Sequence, residues 1–149
     1  MTKRRDVILG LTGVAALVAG SGRAAETGEH RLAIQVSDDR PESMTLALSN
    51  AVNVSAYYAE RAQEVQVEIV TYGPGVHMLR TDTSPIKERM ATFPKSMPNV
   101  VFVACGNTLR AMEKTEGKPV PLISEAKVMQ AGVVRLMELQ EMGWSYVKV

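Results

Sequence analysis

Apolar residues along this 149-residue chain change repeatedly between strand-like and helix-like spacing. Runs rich in β-branched residues, or with strict apolar alternation, predict strands over residues 31–36, 65–72, 100–105 and 144–149. Helical spacing predicts helices over residues 41–61, 85–93, 109–114 and 128–142. Prolines and glycines punctuate these segments, with Pro41 and Pro85 at first helical turns and Gly143 after the last helix.

The order of these segments predicts an α/β fold. Strand and helix alternate about four times, which favours a mainly parallel sheet with helices on both faces. Residues 120–123 form a short extended segment, and Pro119 and Pro121 argue against its being a central strand of the sheet. The length suits one domain with a substantial core.

Composition excludes several classes of function. The formal net charge is only +1, so the chain has no strong field to attract nucleic acid. Aromatic residues make up 5%, which argues against a sugar-binding or base-stacking surface. One cysteine cannot form an intramolecular disulfide, and with two histidines it does not make a zinc site alone. We therefore expect no metal and no cofactor.

The first 25 residues have the pattern of an export signal. A basic segment at residues 3–5 precedes a modest apolar stretch, and Gly22 and Ala24 offer small residues before a cleavage site. The paired Arg4 and Arg5 resemble a twin-arginine signal. We expect residues 1–25 to be removed, and residues 26–149 to form a periplasmic domain that is free of the membrane. An uncleaved N-terminal anchor is the alternative.

Cys105 is the first candidate for chemistry. It ends a continuous apolar run typical of a buried parallel strand, at the sheet edge where α/β proteins place their ligands. Gly106 follows, and Asn107 and Thr108 are expected to cap the next helix or to line a pocket. Amide groups at that helix start would favour the nucleophilic thiolate. The alternative is a small buried cysteine with a packing role.

Other candidates follow the neighbouring strands. His77 comes after the second strand through a Gly-Pro-Gly turn, so it is expected at the same sheet edge as Cys105, although a surface or capping role is the alternative. Gly75 in that turn allows close backbone approach to a ligand, or simply a tight turn. Asp38 and Asp39 follow the first strand and are interpreted as helix caps. His30 is interpreted as linker, and the methionines as core or subunit contacts.

Three segments together resemble the DsrE/DsrF-like superfamily. They are YGPGV at residues 72–76, FVACGNTL at 102–109 and AGVVRLMELQEMGW at 131–144. The resemblance extends from about residue 31 to the end of the chain. It implies a three-layer α/β/α sandwich with about five strands, and homo-oligomers that are commonly trimers or hexamers. In sulfur-relay members a cysteine accepts and passes on sulfane sulfur, which implies that role for Cys105.

Three functions are compatible with the sequence. The first is an exported sulfur carrier that acts through Cys105, with His77 assisting electrostatically and a sulfur donor or acceptor protein as partner. The second is a non-enzymatic, oligomeric domain for small-ligand binding or assembly, in which Cys105 is structural. The third is a redox-sensing thiol, which would be oxidised without transferring sulfur.

Overall fold

The computed structural model describes residues 29–149, so the expected signal peptide lies outside the described residues. The strands are β1 (His30–Val36), β2 (Val65–Thr71), β3 (Val100–Cys105), β4 (Ala126–Met129) and β5 (Ser145–Lys148). The helices are α1 (Pro41–Ala59), α2 (Lys87–Met90), α3 (Phe93–Ser96), α4 (Gly106–Glu116) and α5 (Gly132–Glu141), and a 3-10 helix spans Gly73–Leu79.

The five strands form one parallel sheet in the order β4-β3-β2-β1-β5. The connections between β1 and β4 pack α1, the 3-10 helix and α4 on one face, called here the α1 face. The last connection runs from the edge strand β4 to the other edge strand, β5, and carries α5 across the opposite face of the sheet, called here the α5 face. The chain is therefore a three-layer α/β/α sandwich, which confirms the predicted fold class.

Two cores of unequal size hold the layers together. The larger core lies on the α1 face and includes the helix residues Met44, Ala47, Leu48 and Ala51, all with no exposed surface. Their helical spacing produces the apolar stripe seen in the sequence. The smaller core lies under α5 and consists of Ala33, Val70, Val103, Leu136 and Leu139. Fewer side chains therefore hold α5 than hold the helices opposite.

The first helix begins as predicted, but no aspartate caps it. Pro41 is its first residue, and Arg40 is the N-cap residue with no side-chain capping hydrogen bond. Asp38 instead braces the preceding turn, where it accepts hydrogen bonds from the Arg40 backbone N–H at 3.1 Å and from the Ser43 hydroxyl at 3.2 Å. The helix ends at Ala59, two residues before the predicted end.

Two predicted helices were wrong in part. Residues 128–129 belong to β4, which pairs with β3 from Phe102↔Ala126 to Cys105↔Met129, and the last helix begins only at Gly132. β4 is a short edge strand, and its strand conformation results from pairing with β3 and not from an apolar pattern of its own. The segment predicted as one helix up to Phe93 is two four-residue helices. Pro94 lies in the first turn of the second one, where no backbone N–H is needed.

His30 was also misassigned as linker. It is the first residue of β1, and its ring stacks on Tyr58 with 3.7 Å between ring centroids. The stacking joins the amino end of β1 to the last turns of α1. A histidine two residues before the first apolar residue of a strand gives no sequence signal of such a partner, because Tyr58 lies a full helix away.

Candidate functional site

Cys105 ends β3 and is the N-cap residue of α4. Its side chain is 5% exposed. It lies on the α5 face, because residues two apart in a strand share a face and Val103 belongs to the smaller core. The chain leaves β3 toward the α1 face and leaves β4 toward the α5 face. Neighbouring strands whose connections diverge in this way create the crevice in which open α/β sheets bind ligands. The predicted position of Cys105 at the carboxyl end of a strand is therefore confirmed.

Two helix N-termini lie beside Cys105, because α4 begins at the next residue and the first residue of α5, Gly132, packs against the Cys105 β-carbon. Burial raises the pKa of this thiol, but hydrogen bonds from the Thr108 hydroxyl and from the backbone N–H groups of Gly132, Thr108 and Asn107 outweigh it. The net pKa is lowered. Two of these residues belong to the first turn of α4, and Gly132 is the first residue of α5. The arrangement is one that stabilises a thiolate.

Asn107 and Thr108 do not cap α4, because the helix already begins at Gly106. The Asn107 side chain accepts a hydrogen bond from Arg110, while its backbone N–H also donates to the Gln130 carbonyl oxygen at 3.0 Å. Thr108 Oγ1 accepts a hydrogen bond from the Gly73 backbone N–H at 3.0 Å. This contact orients the hydroxyl and ties the 3-10 helix to the cysteine.

Gly132 and Gly106 allow the two helices to approach β3 and β4 closely. A β-carbon built on Gly132 would lie 3.1 Å from the Tyr72 Cβ and 3.2 Å from the Cys105 Cβ. One built on Gly106 would lie 3.2 Å from the Met129 carbonyl oxygen. Both spacings are tighter than ordinary contacts, so a side chain at either position would push its helix away from the thiol.

The Gly-Pro-Gly turn is packed against the protein's own backbone. A β-carbon on Gly75 would lie 2.2 Å from the Val36 carbonyl oxygen. Gly75 is buried, so the close backbone approach expected for a ligand is here made to the end of β1. His77, on the same 3-10 helix, places its Nδ1 2.8 Å from the Thr83 hydroxyl. It is not among the hydrogen-bond donors to Cys105.

The fold is shared with a solved structure. No protein-family model and no curated protein matches the sequence. One similar structure is that of MTH1491, a protein of unknown function from Methanobacterium thermoautotrophicum, with a TM-score of 0.68 and 29% sequence identity. The match covers 81% of this chain and 100% of that chain. It supports the three-layer architecture and carries no activity with it.

Sequence reasoning missed a polar network beside the thiol on the α5 face. The Gln35 amide donates to the Tyr72 hydroxyl at 2.6 Å and accepts from the Tyr146 hydroxyl at 2.6 Å. Burial raises the pKa of Tyr146, and the nearby Tyr72 raises it further. Gln35 interrupts the apolar pattern of β1 at its end, and that interruption is the sequence signal that could have revealed the network.

A cleft of about 850 Å³ lies at the side of α5 and extends to the end of α1, where Ser55 and Ala59 line it. Val101, Val103, Met129 and Trp144 are among its lining residues, together with the ion pair between Glu68 and Arg135. Cys105 does not line it, although Val103 and Met129 do, and Met129 pairs with Cys105 in the sheet. The cleft therefore ends next to the thiol without exposing it.

Within residues 29–149, no three histidine, cysteine, aspartate or glutamate side chains are grouped as metal ligands. Over the same residues, every helix is too short or too polar to cross a bilayer.

Proposed function

We propose that this protein is a sulfur carrier in which Cys105 holds sulfane sulfur as a persulfide. The observation that supports the proposal best is the set of donors around the sulfur, which comes from the Thr108 hydroxyl and from the first turns of α4 and α5. These donors lower the thiol pKa despite burial. They suit a nucleophilic thiolate, and they suit the terminal anion of a persulfide as well.

The proposed step needs only a donor with sulfane sulfur, such as a polysulfide or thiosulfate. The Cys105 thiolate attacks the sulfane sulfur, a new S–S bond forms, and the bond between that sulfur and the rest of the donor breaks. The leaving group departs as a thiolate or as sulfite with the bonding electron pair. No external oxidant or reductant is consumed. A thiolate of an acceptor protein then takes the outer sulfur and restores Cys105.

The resemblance and the N-terminal pattern extend this proposal. We expect a periplasmic, homo-oligomeric protein, exported by a twin-arginine-like signal, with a separate sulfur donor or acceptor protein as partner. His77 and Gly75 are less well supported as binding residues, since one pairs with Thr83 and the other packs on Val36.

Intact mass spectrometry tests the proposal. Residues 26–149 are incubated with polysulfide or thiosulfate, then measured with and without a reductant. A gain of about one sulfur atom, reversed by reductant and absent in Cys105→Ser, is the expected result. A thiol that gains no sulfur and reacts with alkylating reagents only after unfolding would contradict it.

The second candidate is an assembly or small-ligand domain with a structural cysteine. The 5% exposure of Cys105 and its absence from the lining of the large cleft favour this alternative. It predicts that Cys105→Ser leaves association and ligand binding unchanged. Oxidation of Cys105 by peroxide to a sulfenic acid, without sulfur uptake, would instead favour a redox sensor.

A further inference from the structure

Within residues 29–149, the α5 face is covered only in part. Parallel sheets are normally buried on both faces, yet α5 alone crosses this five-stranded sheet. The uncovered part contributes Val101, Val103, Met129 and Trp144 to the apolar lining of the cleft, which also contains polar and charged side chains. A sheet face of this composition is expected to have an occupant.

The outer surface of α5 is apolar as well. Val133, Val134 and Met137 are 52%, 51% and 54% exposed. Val133 and Met137 are one helical turn apart, so together with Val134 they form a continuous stripe, called here the α5 stripe. The solvent-facing side of a surface helix is ordinarily polar. The same side of the molecule thus carries both the cleft and an exposed apolar ridge.

Charged residues of both signs line the cleft, namely Glu64, Glu68, Lys127 and Arg135, and of these Glu68 and Arg135 pair with each other. Lys127 lines the cleft, is exposed, and forms no ion pair within residues 29–149. Glu141 is exposed one turn after Met137, so it extends the α5 stripe with a carboxylate. A helix seated in the cleft through its stripe would bring an unpaired carboxylate toward an unpaired ammonium group.

We propose that two copies of the chain associate by seating the α5 stripe of one copy in the cleft of the other, with Glu141 of the stripe facing Lys127 of the cleft. The proposal names the contact surface for the self-association expected above. It does not depend on whether Cys105 carries sulfur.

Sedimentation equilibrium of residues 26–149 tests the contact. Met137→Glu places a charge in the stripe at a position that is more than half exposed, so folding should be retained. We expect it to weaken association at least about tenfold. Leu46→Glu is the matched control, because Leu46 is 49% exposed on α1 at the other face of the sheet. A monomer at all concentrations, or equal effects of the two variants, would overturn the proposal.

A charge exchange tests the register of the contact. Lys127→Glu and Glu141→Lys should each weaken association, and the double variant should restore most of it. Trp144 is the only tryptophan and lines the cleft, so its fluorescence should shift to longer wavelength as the wild type dissociates on dilution. Association without recovery in the double variant would rule out this arrangement.

Two further comparisons separate the alternatives. If the full chain is monomeric with a shielded Trp144 while residues 26–149 associate, the N-terminal segment fills the cleft and the proposal is wrong for the full chain. Sulfur uptake by Met137→Glu separates the two proposals. Sulfur uptake by a dissociated Met137→Glu variant would support the carrier function independently of the interface. A wild type that associates but takes up no sulfur would support the interface and contradict the carrier function.

Discussion

The Arg135 guanidinium of α5 donates two hydrogen bonds to the Glu68 carboxylate of β2, from Nε to Oε1 at 2.6 Å and from Nη2 to Oε2 at 2.7 Å. The Glu68 side chain is 5% exposed, and the hydrogen bonds from Arg135 compensate for the burial of its carboxylate. Since the smaller core is formed by only a few side chains, the pair is a principal attachment of α5 to the sheet.

Removing Arg135 should therefore be costly. Arg135→Met leaves a buried carboxylate without its cation, and we expect the free energy of unfolding to fall by about 3 kcal/mol. The double variant Glu68→Leu/Arg135→Met removes both charges and should recover much of the loss. Urea unfolding followed by circular dichroism measures both changes.

Glu138→Gln is the control for the ion pair. Glu138 is half-exposed and lies 3.6 Å from Arg135, so its loss should change stability by less than about 0.5 kcal/mol. If Arg135→Met proved as mild as this control, the pair would not be what attaches α5.

Thr108 should control the reactivity of Cys105. Thr108→Val removes the hydroxyl that donates to the sulfur, so the thiol pKa should rise. Less thiolate is then present at neutral pH, and alkylation by iodoacetamide at pH 7 should slow several-fold. The rate as a function of pH gives the pKa directly, whether or not the protein carries sulfur.

Two variants sharpen that measurement. Thr108→Ser keeps the hydroxyl and should restore the wild-type pH profile. Asn107→Ala keeps the backbone N–H that faces Cys105 and removes only the amide that pairs with Arg110, so it should leave the profile nearly unchanged. A larger effect of Asn107→Ala than of Thr108→Val would show that the side-chain donor has been misassigned.

The position of Cys105 was predictable because its signals are local. A long apolar run requires a buried strand, and the glycine after it permits an immediate turn into a helix. The donors to its sulfur were only partly predictable. Thr108 lies three residues away, whereas Gly132 begins α5. This helix starts near β3 because it follows β4, which pairs with β3 in the sheet. No pattern within β3 or α4 records that approach.

Strand order alone could not orient the side chains at the sheet edge. His77 follows β2 as predicted, but its ring is held at the Thr83 hydroxyl, as the turn of the 3-10 helix determines. Glu68 interrupts an otherwise apolar strand, which marks it as unusual, but its partner is 67 residues away. Pairings across such distances follow from the fold and cannot be obtained from local periodicity.

The cluster of Arg80, Asp82 and Glu116 should make stability depend on acid pH. Arg80 is buried, and its guanidinium bonds Asp82 at 2.8 Å and Glu116 at 2.5 Å. Hydrogen bonding to Arg80 is the main cause that lowers the pKa of both carboxyl groups. A lowered pKa in the folded state stabilises the protein above the unfolded pKa, and this contribution is lost as the pH falls through the folded value.

Glu116→Gln isolates this effect. The stability difference between wild type and variant should be complete at pH 7 and should shrink below about pH 4.5, the ordinary pKa of glutamate. Thermal unfolding between pH 7 and pH 3 measures it. Glu88→Gln, at an exposed position without an ion pair within residues 29–149, is the matched control for the loss of a carboxylate. A constant difference for Glu116→Gln would contradict the assignment.

Gly75 gives the clearest stability test of the Gly-Pro-Gly turn. The methyl group of Gly75→Ala would lie 2.2 Å from the Val36 carbonyl oxygen, so the 3-10 helix must move away from β1. We expect a loss of more than about 4 kcal/mol, or no folded protein. Gly117→Ala is the matched control, because Gly117 has φ of +68° but nothing within 4 Å, and it should cost only about 1–2 kcal/mol. If Gly75→Ala were the milder of the two, the turn would have space at β1, and the ligand role first expected for Gly75 would regain support.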